Sequence, residues 1–312
     1  MERSPAALVL VNWNSGDLVL AQLRELEGLV GAGLRVVVVD NASADRSGEQ
    51  IANFLREWPE AGAVTLLRNS ENLGYAAAVN QASAVVVQMA PPAEYLWTLN
   101  PDNKVDQTTL AELVEVSRES GAAIVSVAGP PWYIASRAWP RAFYAPPGSW
   151  RRRHPRGRRW WRAGNFNGSC AILETGLVRR LMERDGYLID PGLFMDWDEW
   201  DCTLRAAPFG AWVAVAGNAR HIHDDSSRTT GTSSLAAARQ YYQSRNAIVV
   251  ARRNMPPWQF WIALPIRFLR DFSWFLRLRL RGLRPNELAY LYGAVDAFRG
   301  RMGRWKHHPA SR

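Results

Sequence analysis

Tyr95-Leu96-Trp97-Thr98-Leu99-Asn100-Pro101-Asp102-Asn103 is the stretch whose reading decides the fold. Its apolar first half has the composition of a buried strand. Asn100-Pro101 ends that strand, because proline has no N–H to give a sheet ladder and restricts the residue before it. Asp102 is therefore presented at a strand's carboxyl end. Ligands of open parallel α/β sheets bind at that edge, so a carboxylate there is a candidate ligand for a cation carrying a phosphorylated substrate; a cap or turn role is the alternative.

The flanking sequence repeats this pattern. Residues 6–13 and 36–39 read as buried strands that run into the polar clusters Asn14-Ser15-Gly16-Asp17 and Asp40-Asn41-Ala42-Ser43. Helical patterns follow each, at 18–29 and 45–58. A third strand at 64–67, a turn at Asn72-Leu73-Gly74, a small-residue helix at 75–89 and another helix at 108–120 complete the rhythm. Alternating strands and helices with continuous β-branched runs predict an α/β fold, its parallel sheet covered on both faces. A doubly wound sheet brings the polar strand ends to one edge with Asp102, which makes a nucleotide crevice. Neither GxGxxG nor GxxxxGK[ST] occurs, which argues against a Rossmann dehydrogenase and a P-loop NTPase. A metal held by Asp102 is expected to neutralise the phosphates instead.

The 312 residues, 47% of them hydrophobic, suffice for one large α/β domain with a smaller attachment. Cys170 and Cys202 lack any CxxC or His-rich spacing, so neither a disulfide framework nor a zinc site is indicated, and a reducing cytosol fits. The amino terminus reads without a signal peptide, and no stretch reads as a membrane span. Charge is uneven: residues 1–150 carry 10 Lys or Arg against 16 Asp or Glu, and residues 151–312 carry 28 against 13. The second half faces anions, whether phosphates, nucleic acid or an anionic membrane surface.

Residues 129–162 read as a loop containing seven arginines and two tryptophans between Arg151 and Arg162. It is either a solvated basic loop or a contact for phosphate or membrane. Phe166-Asn167-Gly168-Ser169-Cys170 is a turn into a strand, and a helix follows at 175–184. Then comes Asp196-Trp197-Asp198-Glu199-Trp200-Asp201, four carboxylates in six residues. Two readings are open: the first turn of a helix, where acids suit the macrodipole, or catalytic acids whose pKa is raised by apolar neighbours. A further strand at 211–216 leads to His223, a candidate metal or pyrophosphate ligand beside Asp102. Residues 240–253 read as a helix containing Arg245-Asn246. Residues 258–281 mix aromatic bulk with five arginines and suit a helix or helix pair lying in a membrane interface, or packed on the core or on a dimer partner.

Six ordered motifs, Val11-Asn12-Trp13-Asn14-Ser15, Val39-Asp40-Asn41-Ala42-Ser43-Ala44-Asp45, Asn72-Leu73-Gly74-Tyr75-Ala76-Ala77-Ala78-Val79-Asn80, Leu99-Asn100-Pro101-Asp102, Phe166-Asn167-Gly168-Ser169-Cys170 and the acidic run ending Asp201-Cys202-Thr203-Leu204-Arg205, resemble the family 2 inverting glycosyltransferases of the rhamnosyltransferase type. The resemblance implies a GT-A fold, a Rossmann-like, mostly parallel mixed sheet flanked by helices, over residues 1–255, with a basic, aromatic-rich helical extension at 256–312. Carried over by motif, Asn12, Asn14, Asp40, Asn41, Asn72, Gly74, Asn80, Asn100 and Asp102 fall on the donor side, and Asn167, Gly168, Trp197 and Asp201 on the acceptor side. Asp102, with His223, would hold Mg²⁺ or Mn²⁺. The family's acidic motif reads Glu-Asp-x-Asp, whereas this chain reads Asp198-Glu199-Trp200-Asp201; position makes Glu199 the catalytic base and leaves Asp198 a competitor.

The implied donor is a nucleotide sugar, dTDP-L-rhamnose favoured and a UDP-sugar open. The implied acceptor is a glycan or polyprenyl-linked glycan of cell-surface polysaccharide synthesis. The basic half suits an anionic membrane surface, so the expected location is cytoplasmic and peripheral at the inner face of the cell membrane; a homodimer is open and no nucleic acid is expected. Two other readings are a sugar nucleotidyltransferase, which lacks its basic glycine-rich loop here, and a membrane- or nucleic-acid-binding protein, which the acidic cluster disfavours.

Overall fold

The computed structural model describes residues 5–128, 143, 157–219, 221–223, 233–280 and 287–306, with backbone alone at 221–223, 233–236 and 287. Strand β1 (Ala6–Asn12) lies between β2 (Arg35–Asp40) and β4 (Tyr95–Leu99), with β3 (Val64–Arg68) outside β2, all parallel. The apolar runs of β1, β2 and β4 are buried on both faces, while β3 at the edge is only partly covered. Alternation sends Leu8, Leu10, Val36, Val38 and Trp97 to one core and Ala7, Val9, Val37, Val39 and Leu96 to the other.

Helices α1 (Gly16–Glu25), α3 (Ser47–Glu57) and α5 (Gln107–Ser120) cover the first face; the short α2 (Glu27–Gly31) follows α1. Helices α4 (Tyr75–Val87), α6 (Thr175–Asp185) and α7 (Asp198–Ala206) cover the second. Asp106 caps α5 by accepting from the Thr108 and Thr109 backbone N–H groups.

Beyond β4 the sheet is mixed, as the resemblance implies and the strand–helix rhythm alone does not. Among the described residues the order is β3-β2-β1-β4-β8-β6-β9-β7, with β6 at Ile124–Val127, β7 at Trp160–Ala163, β8 at Cys170–Glu174 and β9 at Val213–Ala216. Strand β8 runs antiparallel to both β4 and β6, and Leu99 pairs with Cys170. That reversal sets the start of β8 beside the end of β4, so the turn at 166–169 shares an edge with Asp102. A two-stranded ribbon of β5 (Asn103–Val105) and β10 (His221–His223) pairs Asn103 with His223.

The loop expected over 129–162 ends in a strand: β7 pairs with β9, and Trp160 packs on Trp212 at 6.0 Å. Residues 129–142 and 144–156, including Arg151, Arg152, Arg153 and Arg156, lie outside the described residues. Arg159 faces inward to α5, pairing with Glu112 at 2.8 Å, with Glu115, and with Glu119 at 3.4 Å. That arginine neutralises a row of acids on the protein itself.

The carboxyl-terminal part is helical: α8 (Ser233–Asn254), α9 (Pro257–Leu280) and α10 (Glu287–Phe298). Helix α9 is one helix that runs through Pro265 rather than a pair. A third core joins Leu193 and Trp200 to Ala247–Ala251 of α8, Phe260 and Leu264 of α9, and Ala294 and Ala297 of α10, so it extends on both sides of Met255.

Candidate active site

The ends of β1 and β2 are tied together before any ligand is considered. Asn12 Nδ2 donates to Asp40 Oδ1 at 2.9 Å and to Ser43 and Ser47 Oγ at 3.0 Å, while Asn12 Oδ1 accepts from the Ser15 N–H at 3.2 Å. Both residues are buried, so Asn12 braces the loop that presents Asp40. Asn14 is exposed, has a left-handed backbone at φ 54°, and accepts from the Ala44 N–H. Asn41 holds the next turn: Nδ2 donates to Asn72 Oδ1 at 3.0 Å and to the Gly74 carbonyl at 3.2 Å, and Oδ1 accepts from the Leu73 N–H. Trp13, half exposed, stands at the lip of this edge.

Gly74 joins that turn to the acidic segment. Its φ is +87°, and a Cβ there would lie 2.6 Å from the Phe194 ring, so the close approach requires glycine. The Tyr75 N–H donates to the Phe194 carbonyl at 3.1 Å. Phe194, Asp196 and Trp197 all have left-handed backbone, with φ of 68°, 63° and 67°, before α7 begins at Asp198. Left-handed non-glycine residues are costly and concentrate where surrounding contacts over-determine the chain.

Asp198 and Glu199 form the first turn of α7 and line one small cavity with Tyr75, Thr98 and Gly168. Both pKa values are raised. For Asp198 burial is the cause, opposed by a hydrogen bond from Glu199; for Glu199 burial acts first and the Asp198 charge adds to it. Burial thus favours the neutral carboxyl at each position, and the neighbouring charge adds to this at Glu199. Gly168 gives Glu199 its space, since a Cβ there would sit 2.6 Å from Glu199 Oε1. The Tyr75 hydroxyl donates to the Gly168 carbonyl at 3.4 Å, and its pKa is pushed up by burial and then by Asp198, Glu199 and Asp102. Those three acids thus act on one partly buried phenol.

Asp102 is half-buried in the turn between β4 and β5. The Asn100 N–H donates to the Ser169 carbonyl at 2.8 Å, and Asn103 Nδ2 donates to the same carbonyl at 3.0 Å, which fastens this turn to the start of β8. Asn167 Oδ1 accepts from Ser169 Oγ at 2.8 Å and shapes the turn from the other side. The His223 backbone lies opposite Asn103, next to Asp102; its side chain lies outside the described residues. Among the described residues no three of His, Cys, Asp and Glu converge. A single strand-end carboxylate still fits Mg²⁺ or Mn²⁺ carried on a diphosphate, because such ions take one or two carboxylates and complete their shell with phosphate oxygens and water.

A family model described as glycosyl transferase family 2 matches residues 9–181, which spans the ends of β1, β2 and β4 and the Gly168 turn. The chain belongs to glycosyl transferase family 2.

Solved structures agree with this glycosyltransferase in fold. The mannosyltransferase PcManGT from Pyrobaculum calidifontis, in complex with GDP-Man and Mn²⁺, aligns over 95% of this chain and 74% of its own at 19% identity and TM-score 0.54. TarS 1-349 of S. aureus with UDP-GlcNAc aligns over 95% and 81% at 14% identity and TM-score 0.56. GalNAc-T7 with UDP, GalNAc and Mn²⁺ aligns over 97% and 58% at 15% identity and TM-score 0.58. The mixed eight-stranded sheet with its flanking helices is accordingly a GT-A fold. No curated protein sequence matches the chain.

Several residues that the resemblance assigns to the glycosyltransferase's substrate surfaces are engaged within the protein. Asn80 donates to the Ile189 carbonyl at 2.7 Å and accepts from the Leu188 and Ile189 N–H groups, clamping α4 to the segment before the acidic run. Asp201, 1% exposed, pairs with Arg205 Nε at 2.6 Å and lies 3.8 Å from Arg253 Nη1. Trp197 packs against Trp200 at 6.5 Å and under the Arg267 guanidinium at 5.7 Å. The sequence set Tyr75 in the third motif without a role of its own, although its position after Gly74 at the head of a helix was the available signal. Nor did it give a role to Asn246, which donates to the carbonyls of Leu193, Met195 and Asp196 and so holds the strained segment before the carboxylates.

Proposed function

We propose that the chain is an inverting, metal-dependent glycosyltransferase that moves a sugar from a nucleoside diphosphate donor to a hydroxyl of a glycan or polyprenyl-linked glycan, in cell-surface polysaccharide synthesis. The observation that carries this reading is the carboxyl of Glu199, raised in pKa and seated against Gly168, on the same sheet edge as Asp102. Motif resemblance favours L-rhamnose from dTDP-L-rhamnose as donor. UDP-sugars share the chemistry, as does GDP-mannose, which PcManGT binds.

Glu199 takes the proton of the acceptor hydroxyl as that oxygen bonds to the anomeric carbon and the bond to the diphosphate breaks. Attack from the face opposite the leaving group inverts the configuration in one displacement and needs no covalent enzyme intermediate. Asp198 keeps the proton affinity of Glu199 high. Asp102, with His223 adjoining it in the chain's fold, would hold the Mg²⁺ or Mn²⁺. Held there, it would supply positive charge to offset that of the departing diphosphate. Asp40 meets the base or ribose at an edge lined by Asn14, Asn41, Asn72, Gly74 and Asn100, and Trp13 offers an aromatic face for the base. Asn167, Gly168 and Trp197 border the acceptor side. The acceptor class and the basic second half favour the inner face of the cell membrane as the working location.

Nucleoside diphosphate release by the full chain with Mg²⁺ or Mn²⁺, across dTDP-, UDP- and GDP-sugars, tests this reading. One donor turned over by wild type, with turnover lost in Asp102→Ala and Glu199→Gln, is the expected result. Activity retained in Glu199→Gln and lost in Asp198→Asn moves the base to Asp198.

A further inference from the structure

Helix α9 has two unlike faces. Phe260, Ala263, Leu264, Arg267, Asp271 and Phe275 point inward. The outward stripe recurs at helical spacing and is apolar: Trp258 is 64% exposed, Trp261 60%, Ile262 59%, Leu269 71% and Phe272 68%. Helix α10 repeats the arrangement, with Leu288 66% exposed, Leu291 53%, Tyr292 51% and Val295 43%. The two stripes are one surface, because the rings of Trp261 and Phe298 stack across the helices at 6.4 Å and 15°. Apolar exposure that is contiguous over two helices marks an interaction site.

Charge says what covers it. From Met255 to Lys306 the chain has ten Lys or Arg and three acids, Asp271, Glu287 and Asp296. Asp271 and Asp296 are buried, and they bond to Tyr290 and Tyr241. Arg277 lies on α9 and Arg299 directly follows α10, and both are exposed, as is Arg304 further on. A second copy docking by a two-fold axis would set these arginines against their own copies. No described helix is long and apolar enough to cross a bilayer. Aromatic and aliphatic side chains flanked by arginines are what a helix lying in the headgroup–acyl boundary of an anionic membrane presents.

We propose that the outer faces of α9 and α10 form a single lipid-docking surface for an anionic bilayer. The inner face of α9 places Arg267 over Trp197, the residue before Asp198 and Glu199, so one helix separates the docking surface from the carboxylates. A helix with its side chains is about 10–12 Å across. The surface therefore presents the site to an acceptor whose hydroxyl lies close to a lipid headgroup. This last step rests on the proposed transferase reading; the docking itself does not.

Flotation of the full chain with phosphatidylcholine vesicles, with and without phosphatidylglycerol, tests it. Wild type is expected to float with the phosphatidylglycerol vesicles and to be released by salt. Leu269→Glu with Leu291→Glu, and separately Arg277→Glu with Arg299→Glu, are expected to weaken binding about tenfold or more while circular dichroism and nucleoside diphosphate release stay unchanged. Failure of wild type to float, or flotation indifferent to both pairs of substitutions, overturns the proposal. So does a concentration-dependent dimer in analytical ultracentrifugation that Leu269→Glu with Leu291→Glu dissolves, without vesicle binding. Vesicle binding by a chain that turns over no donor upholds the docking surface and removes the transferase reading instead.

Discussion

The side-chain amide of Asn246 donates to the backbone carbonyl of Asp196 at 2.9 Å, two residues before the helix that carries Asp198 and Glu199. The same amide reaches the carbonyls of Leu193 and Met195, and its neighbour Arg245 donates to those of Gly192 and Leu193. Both residues are fully buried. Each left-handed residue of this segment costs about 1–3 kcal/mol, so the segment keeps its course because α8 holds its carbonyls. Asn246→Ala is expected to lower kcat about 10- to 100-fold through displaced carboxylates, with donor KM little changed. Steady-state kinetics with a soluble donor check the split; loss confined to donor KM would refute the positioning role.

Gly168 marks the other wall of the carboxylate site. A Cβ there meets Glu199 Oε1 at 2.6 Å and Cγ at 2.8 Å, so Gly168→Ala must move the carboxyl. Turnover is expected to fall about 100-fold while the fold survives, since the displaced group is a side-chain end. Circular dichroism and turnover, measured on one preparation, separate the two effects.

Glu199 links catalysis to pH. Its folded pKa stands well above the ordinary value, from burial and then from the Asp198 charge. A carboxyl raised on folding contributes stability that is fully present below its unfolded pKa, about 4.3, and is lost as pH rises through the folded pKa. Glu199→Gln is therefore expected to be more stable than wild type at neutral pH and no more stable near about pH 4, while inactive. Urea melts at the two pH values check the sign. The wild-type rate is expected to rise with pH along a limb above the ordinary carboxylate range, as Glu199 loses its proton.

Asp201 belongs to the framework. Burial raises its pKa and Arg205 lowers it, with burial prevailing, while the carboxylate stays within 2.6 Å of Arg205 Nε. Asp201→Ala leaves Arg205, which also pairs with Asp185 at 2.9 Å, short of a partner in a largely buried setting. The expected cost is about 3–5 kcal/mol of stability. Acceptor preference among surviving molecules is expected to stay as in wild type, as competition between two acceptors would register.

Chelation tests the role of Asp102. EDTA is expected to bring nucleoside diphosphate release to background, and Mg²⁺ or Mn²⁺ to restore it. Asp102→Ala is expected to need about tenfold more metal or to show no recovery.

The sequence by itself determined the strand–helix rhythm through β4 and α5, because buried strands and their stops are written in local hydrophobic period and in residues such as Pro101. It also placed Asp40 and Asp102 at strand ends, and left the acidic run open between the first turn of a helix and catalytic acids. Tertiary structure alone decided what those residues touch. The antiparallel course of β8 brings Gly168 to Glu199; strand direction depends on partners far along the chain, and no local pattern encodes it. Family resemblance gave Asn80 and Asp201 to the substrates, whereas packing turns them to Ile189 and Arg205. Part of the basic run proves to be the counter-charge of Glu112 and Glu119. Composition reports how many charges a segment carries, and only the fold fixes which of them already face a partner.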